Sequence, residues 1–335
     1  MADKKLNVGL LGCGRLGQVY ARDLAGVIPE TRLTAVADSH LGSARRCAET
    51  FEVAGCYGDP LQLLDDPKVD AVAIVTPTST HAELVEACAS RGKAVFCEKP
   101  LSIALDQALA MQETVEKSGI FFQMGFMRRF DPGYAAAKHK IEAGEIGRPV
   151  LFKSSSRDPY RPSVEYADPR HSGGMIVDMG IHDFDLALWL MGPVRRVQST
   201  GGVLVYPELG EVGDIDNAIV TLEFEQGLGV IDLSRKGVYA YDIFTEVLGS
   251  EGAVRVGYLR ETPMLLLKEN QVSHDTVPYF PQRFRDAYTL QLQNFARNVL
   301  TDTPPPVTIA DGVQALKVAL AATKSLHQGR RVALD

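Results

Sequence analysis

Cysteine is scarce in this sequence, long apolar runs are missing, and positive charge is in deficit. Each shortage excludes a class. The five cysteines are Cys13, Cys47, Cys56, Cys88 and Cys97. They are odd in number, widely scattered and form no C-x-x-C pair, so they read as reduced thiols of a cytoplasmic protein, not as a disulfide frame or zinc site. The longest apolar runs, such as Ala71–Val75, span a handful of residues, whereas a membrane-crossing helix needs roughly 20. Lysine and arginine number 35 against 42 aspartates and glutamates, a net charge of -7. That balance favours solubility and argues against a nucleic-acid or anionic-membrane partner. The opening Met1–Asn7 is short and charged and leads straight into a strand-like run, with no signal or transit segment in view.

What is present suffices for a sizeable core. Of 335 residues, 45% are hydrophobic and 23% charged, which excludes disorder as the main state. At roughly 150 residues per domain the length predicts about two domains. The first part of the chain alternates strand and helix. Strands are expected at Leu6–Leu11, Leu33–Ala37, Val69–Val75, Lys93–Cys97 and Phe121–Gly125. Helices are expected at Gly17–Ala25, Leu41–Phe51, His81–Arg91 and Ser102–Ser118. Val69–Val75 is apolar and β-branched on both faces, as in a strand buried within a parallel sheet. Such alternation implies βαβ units, hence an α/β domain of doubly wound parallel sheet over residues 1–126.

Beyond Phe126 the texture changes. Helices are expected near Tyr134–Ala143, Met175–Leu190, Arg283–Leu300 and Asp311–Leu326. Between them lie alternating strands from Pro149–Arg157 to Met264–Glu269, with tight-turn signals at Glu225-Gln226-Gly227 and Ser250-Glu251-Gly252. Residues 127–335 therefore read as a second, α+β domain on a large, open, mostly antiparallel sheet.

Gly12-Cys13-Gly14-Arg15-Leu16-Gly17 is a G-x-G-x-x-G. Alone it is a weak signal, because turns use glycine freely. Here it follows an expected strand and opens an expected helix, and Asp38 ends the next strand about 20 residues on. Gly12 permits the tight turn, Gly14 lets backbone approach a pyrophosphate, and Gly17 lets helix and strand pack closely. The helix end offers free N–H groups and a positive dipole to phosphates, with Arg15 and Leu16 at its head. Asp38 accepts hydrogen bonds from ribose hydroxyls and repels a 2′-phosphate, and neither Ser39 nor His40 brings an Arg or Lys to neutralise one. The expected cofactor is NAD rather than NADP; FAD is the alternative dinucleotide.

Further motifs follow: Thr76-Pro77-Thr78-x-x-His81, then Glu98-Lys99-Pro100, and in the second half Ser172-Gly173-Gly174-Met175-Ile176-Val177-Asp178-Met179-Gly180-Ile181-His182-Asp183. Together with the glycine fingerprint, these resemble the glucose-fructose oxidoreductase, inositol dehydrogenase and MocA family, from about residue 6 to 330. Gly125–Tyr134, Met179–Leu190 and Tyr239-x-Tyr241-Asp242 lean toward its inositol dehydrogenases. The resemblance implies a Rossmann domain joined to an open-sheet domain, a homotetramer or dimer through the sheet faces, and NAD-dependent oxidation of a secondary hydroxyl of a cyclic polyol. It also implies that Thr76, Pro77, Thr78, His81, Glu98, Met127 and Arg128 serve the cofactor. There is one departure. Many myo-inositol enzymes carry R-N-P where this chain has Arg157-Asp158-Pro159. An ionised carboxylate only accepts hydrogen bonds, so scyllo-inositol or a pyranose stands beside myo-inositol as substrate.

Oxidising an alcohol needs a hydride acceptor and a base. Asp178 and His182, four apart, share one face of an expected helix. A carboxylate beside an imidazole favours the protonated ring and fixes its tautomer, which suits His182 as general base with Asp178 as its partner and a substrate contact. Lys99, at a strand's carboxyl end, is placed to hold the reacting oxygen. Pro100 pushes it toward extended geometry. Arg128, Arg157, Asp158 and Tyr241 are further substrate-contact candidates, though each could be an ordinary salt bridge or core group. Most i,i+4 Asp–His pairs are surface pairs; the apolar neighbours here argue for burial. His171, Asp178, His182 and Asp185 do not reproduce a zinc spacing. A keto-sugar reductase, a redox-assisted elimination, and a non-catalytic NAD sensor remain competing outcomes of the same fold.

Overall fold

Strand β1 (Leu6–Leu11) is apolar on both faces because it lies inside a parallel sheet, and five of its six residues are buried. The computed structural model describes residues 4–334. After β1 come α1 (Arg15–Arg22), β2 (Thr31–Ala37), α2 (Leu41–Thr50), β3 (Gly55–Tyr57), α3 (Pro60–Leu64), β4 (Ala71–Ile74), α4 (His81–Ser90), β5 (Ala94–Glu98), α5 (Leu105–Ser118) and β6 (Phe122–Gly125). The six strands are all parallel, in the order β3-β2-β1-β4-β5-β6. This is the doubly wound Rossmann order, whose direction reverses between β1 and β4, where such sheets take ligands. Strand β3 and helix α3 are too short for periodicity to reveal. Helix α1 begins directly after Gly14 and passes into a π-turn at Asp23–Val27.

The remaining elements are α6 (Pro132–Glu142), β7 (Pro149–Arg157), α7 (Val164–Ala167), α8 (Pro169–Ser172), α9 (Gly174–Asp178), α10 (Ile181–Met191), β8 (Val194–Gly202), α11 (Pro207–Glu211), β9 (Asn217–Phe224), β10 (Gly227–Ser234), β11 (Asp242–Gly249), β12 (Ala253–Val256), β13 (Leu266–Lys268), β14 (Gln271–Ser273), α12 (Phe280–Arg283), α13 (Arg285–Thr301), α14 (Ile309–Gln328) and β15 (Val332–Ala333). Seven strands form one sheet, β12-β11-β7-β10-β9-β8-β15. Every pair in it is antiparallel except β7 with β10. The expected strand at Met264–Glu269 shrinks to β13, which pairs only with β14 in a separate hairpin. Its residues are exposed, so no sheet face fixes them.

The compact units do not follow the chain as two uninterrupted stretches. One compact unit takes the chain through Phe130 together with Asp286–Val313; the other takes Asp131–Arg285 and the chain from Gln314 onward. Helix α13 explains the interruption, because its partners lie in the Rossmann sheet. Phe295 packs edge-on against Phe96 and Phe121, with ring centres 5.9 and 5.6 Å away. Gln123 Nε2 donates to the Gln291 carbonyl at 3.0 Å, and Thr289 Oγ1 donates to Asp23 at 2.8 Å. An amphipathic helix shows that it buries a face, not which sheet covers it.

In the second unit, Asp131 caps α6 by accepting the N–H groups of Gly133 and Tyr134 at 2.9 and 3.2 Å. Its other oxygen accepts from Arg283 Nη1 at 2.7 Å, and both side chains are buried. Removing one partner strands the other charge. Arg283→Leu is expected to lower unfolding free energy by about 3–5 kcal/mol, read from denaturant titration; a loss below about 1 kcal/mol, the range of exposed pairs, would contradict this account.

Candidate active site

The three glycines of the fingerprint carry different burdens. Gly12 has φ +96°, and a Cβ there would lie 2.5 Å from the Val75 carbonyl oxygen. A Cβ at Gly17 would lie 2.1 Å from the Gly12 oxygen. Both positions are closed by the fold itself. Gly14 differs: its φ is -72°, open to any residue, and a Cβ would meet no protein atom within 4 Å. Protein packing therefore gives no reason for glycine there. Helix α1 has no side-chain cap and no acidic residue in its first turn, and Gly14 and Arg15 are exposed. Free N–H groups beside an uncluttered backbone fit a dinucleotide pyrophosphate.

Asp38, just past β2, ties this turn down. Its Oδ2 accepts the Cys13 N–H and its Oδ1 the His40 N–H, each at 2.8 Å. Each oxygen keeps lone-pair capacity for a ribose hydroxyl. Ser39 beside it is exposed.

Beyond β4, Thr76 and Thr80 hydroxyls meet at 2.7 Å, and Pro77 and Thr78 lead into a 3-10 turn. His81 is buried, 1% exposed. Its Nδ1 lies 3.0 Å from the Pro100 carbonyl oxygen and its Nε2 3.1 Å from that of Thr76. Burial holds its pKa below the usual histidine value. The ring is thus a strut joining the β4 turn to the Glu98-Lys99-Pro100 turn. The Lys99–Pro100 peptide is cis, Lys99 is half-buried and Glu98 is buried. Met127 and Arg128 occupy a 3-10 turn and are also buried.

In the second unit the expected continuous helix over Met175–Leu190 is broken. Helix α9 ends at Asp178 and α10 begins at Ile181. Across the break the Gly180 N–H reaches back to the Met175 carbonyl, five residues away, at 3.4 Å. Asp178 and His182 therefore flank a junction instead of sharing one regular helix face. Each side of the junction is pinned by groups that sequence reading passed over. The Met175 N–H, opening α9, donates to Asp214 Oδ1 at 2.8 Å. Arg235, 1% exposed, places Nη2 3.0 Å from Asp214 Oδ2 and 3.8 Å from Asp178 Oδ2. Tyr166 donates to Asp178 Oδ1 at 3.1 Å, and that carboxylate pushes the tyrosine hydroxyl's pKa up. Burial raises the pKa of Asp214 while Arg235 opposes the rise. On the other side, Asp183 is fully buried and accepts from Ser156 Oγ at 2.7 Å and from Ser154 Oγ. His182, 9% exposed, is its neighbour in the chain. The serine run of β7 was the available signal: Ser154 and Ser156, two apart on the core-facing row, carry hydroxyls that need a buried partner.

That alternation also corrects one substrate candidate. Ser154 and Ser156 point toward α10, so Arg157 belongs to the opposite sheet face. There it pairs with Asp232 and donates to the Tyr239 hydroxyl at 2.8 Å. With Ser155, Asp242 and Phe244 it lines an outer groove of about 940 Å³. Arg157 is not brought to the side that bears His182. Asp158 leaves the strand with its N–H on the Ser234 carbonyl at 2.9 Å. Tyr241 is buried, its ring edge-on to Tyr279 and Phe284 at 5.6 and 6.3 Å. His171 is exposed and Asp185 buried; among the described residues no group of three or more His, Cys, Asp or Glu side chains is placed to hold a metal ion.

Comparison with known proteins agrees over both halves. Residues 6–126 match the GFO/IDH/MocA oxidoreductase family's NAD-binding Rossmann fold, and residues 138–334 its C-terminal alpha/beta domain. The chain is 40% identical to scyllo-inositol 2-dehydrogenase (NAD(+)) of Bacillus subtilis, over 99% of this chain and 97% of that one. It is 42% identical to myo-inositol 2-dehydrogenase of Thermotoga maritima, over 98% and 99%. The crystal structure of scyllo-inositol dehydrogenase from Lactobacillus casei with bound NAD(H) and scyllo-inositol superposes with a TM-score of 0.94 at 28% identity, covering 98% of this chain and 99% of that one.

The glycine analysis separates folding from binding. Gly14→Ala is expected to leave the thermal midpoint within about 2 °C, since surface changes away from packed features stay within about 0.5 kcal/mol. It should weaken NADH at least about tenfold, a loss of roughly 1.4 kcal/mol, measured by fluorescence titration. Undiminished NADH affinity would remove the pyrophosphate from this turn.

Proposed function

The chain belongs to the GFO/IDH/MocA oxidoreductase family, and from that membership we infer that it oxidises one secondary hydroxyl of an inositol, scyllo- or myo-, to the keto-inositol with NAD as oxidant. The observation that carries this reading is full-length similarity at 40–42% identity to dehydrogenases of those two polyols.

NAD, when bound, would supply the hydride acceptor for the substrate carbon. The amides around Gly12, Gly14 and Gly17 would hold its pyrophosphate, with Arg15 and Leu16 at the helix head. Asp38 and Ser39 would receive the adenosine ribose. Thr76, Pro77, Thr78, Met127 and Arg128 would border the cofactor, and Glu98 would support its nicotinamide end. His81, buried, acts through the loops it joins. Lys99 holds the reacting oxygen and favours its developing negative charge. His182 removes the hydroxyl proton. Asp178, its carboxylate fixed by Tyr166 and faced by Arg235, orients His182 and accepts a substrate hydroxyl. Arg128, Asp158 and Tyr241 complete the substrate contacts.

A cytoplasmic homo-oligomer, a tetramer or dimer joined through the sheet face, belongs to the same proposal. Leu228 of β10 and Leu248 of β11 flank Leu151 of β7 on the face turned from α10, and both are exposed. Among the described residues no helix is long and apolar enough to cross a membrane.

Incubation with scyllo-inositol, myo-inositol or glucose, with NAD or NADP, tests the reading through reduced-cofactor absorbance. NADH should form from one or both inositols; silence with every polyol and sugar would end the proposal. Lys99→Ala should reduce turnover by about 10²–10⁴-fold with NADH binding intact. Asp38→Ala should raise the KM for NAD and shrink its advantage over NADP by about tenfold, the worth of one hydrogen bond to a charged group. Unchanged discrimination would refute the ribose assignment.

A further inference from the structure

A buried polar chain runs through the first unit, and no role assigned so far requires all of it. Gln291 of α13 donates from Nε2 to the Tyr20 hydroxyl at 2.6 Å. Tyr20, on α1, donates to Glu98 Oε1. The second carboxylate oxygen, Oε2, accepts the backbone N–H of Lys99 at 3.1 Å. Tyr20 and Gln291 are fully buried and Glu98 is 6% exposed.

Packing alone does not ask for this arrangement. The Tyr20 ring stands edge-on to Phe96 with centres 5.8 Å apart, a contact phenylalanine would make equally well. A buried hydroxyl and a buried carboxylate each cost free energy unless they are bonded, and here they satisfy one another. The strand beside them leaves room: Gly125 pairs with Glu98 across β5 and β6, and a Cβ on it would lie 3.0 Å from Glu98 Oε1.

We propose that Tyr20, held by Gln291, is a positioning residue for Lys99 and acts through Glu98. Two points of the Glu98 carboxylate are fixed by partners from different parts of the chain. One is the α1 hydroxyl; the other is the amide of the lysine itself, at the cis peptide to Pro100. With its amide bonded to an immobile oxygen, Lys99 starts from a set backbone position, and its side chain has fewer directions to search. This rests on the role given to Lys99 above.

Electrostatics gives the arrangement a measurable sign. Burial pushes the Glu98 pKa above the usual carboxylate value, while the Tyr20 hydroxyl and Lys99 pull it back. Tyr20 itself is pushed well above the usual tyrosine value, chiefly by burial, so it stays a donor. Other titratable groups nearby are Cys97 beside Glu98, and Asp23 and Tyr288 beside Tyr20. The strand neighbours Met124 and Gly125 carry no charge. Deleting the hydroxyl removes an interaction that favours the ionised form, so Glu98 must then protonate at higher pH.

The Lys99 amide reports this directly, because it donates to the titrating carboxylate. In protein labelled with ¹⁵N-lysine, the Lys99 amide resonance should titrate, and Glu98→Gln should abolish the titration. Tyr20→Phe should move its midpoint up by about one pH unit, the equivalent of one hydrogen bond to a charged group. In the inositol assay the same variant should lose about tenfold in kcat, keep NADH affinity within about twofold, and show its acid limb at correspondingly higher pH. Equal midpoints in wild type and Tyr20→Phe, or a Lys99 amide that never titrates, would overturn the inference. A wild-type protein inactive on inositols would fail the functional reading alone, and the resonance would still decide the role of Tyr20.

Discussion

A helix N-terminus carries N–H groups that its own turn cannot satisfy, and no side chain caps α1. Much of the first unit follows from leaving that end open. The turn must be tight enough for Gly12 to pass beneath Val75, and the helix must sit so close that Gly17 presses on the Gly12 oxygen. Asp38 then reaches from the adjoining strand to hold the Cys13 amide. The result is a rigid rim around an uncovered patch of backbone at Gly14. Positive dipole, free donors and missing side chains coincide there, as an anionic ligand requires.

In the second unit buried charge takes the place of open backbone. Asp183, Asp214 and Arg235 are all withdrawn from water, where an unpaired charge is expensive. Their partners fix both sides of the α9–α10 junction: serine hydroxyls of β7 on one, the Met175 amide on the other. Free energy spent on burying these groups is recovered as position, since Asp178 lies 3.8 Å from Arg235 and His182 adjoins Asp183 in the chain. The break in the helix is thus held from two directions.

Patterns that repeat locally were readable from the sequence. Strand–helix alternation gave the parallel sheet, and the glycine spacing with Asp38 gave its open helix end, because both are set within about 40 residues. What escaped depends on distant partners. Nothing near Gln291 marks it as a neighbour of Tyr20, and nothing near Arg235 marks it as a neighbour of Asp178. The helix over Met175–Leu190 reads as continuous because hydrophobic spacing persists across Met179 and Gly180; the five-residue backbone step from Gly180 back to Met175 leaves no trace in composition. Arg157 and Asp158 enter together through the tripeptide Arg157-Asp158-Pro159, although neighbouring strand residues face opposite sides.

Helix α13 has a consequence for how the molecule comes into being. The Rossmann sheet is delivered early in synthesis, yet the Phe295 and Tyr288 rings that cover Phe96 and Tyr20 arrive more than 150 residues later. Until then that apolar flank has no permanent cover, and vectorial completion of the N-terminal half is denied to it. The nascent chain must therefore hold an unfinished sheet while nearly all of the second unit emerges, which makes its maturation a matter for the whole polypeptide.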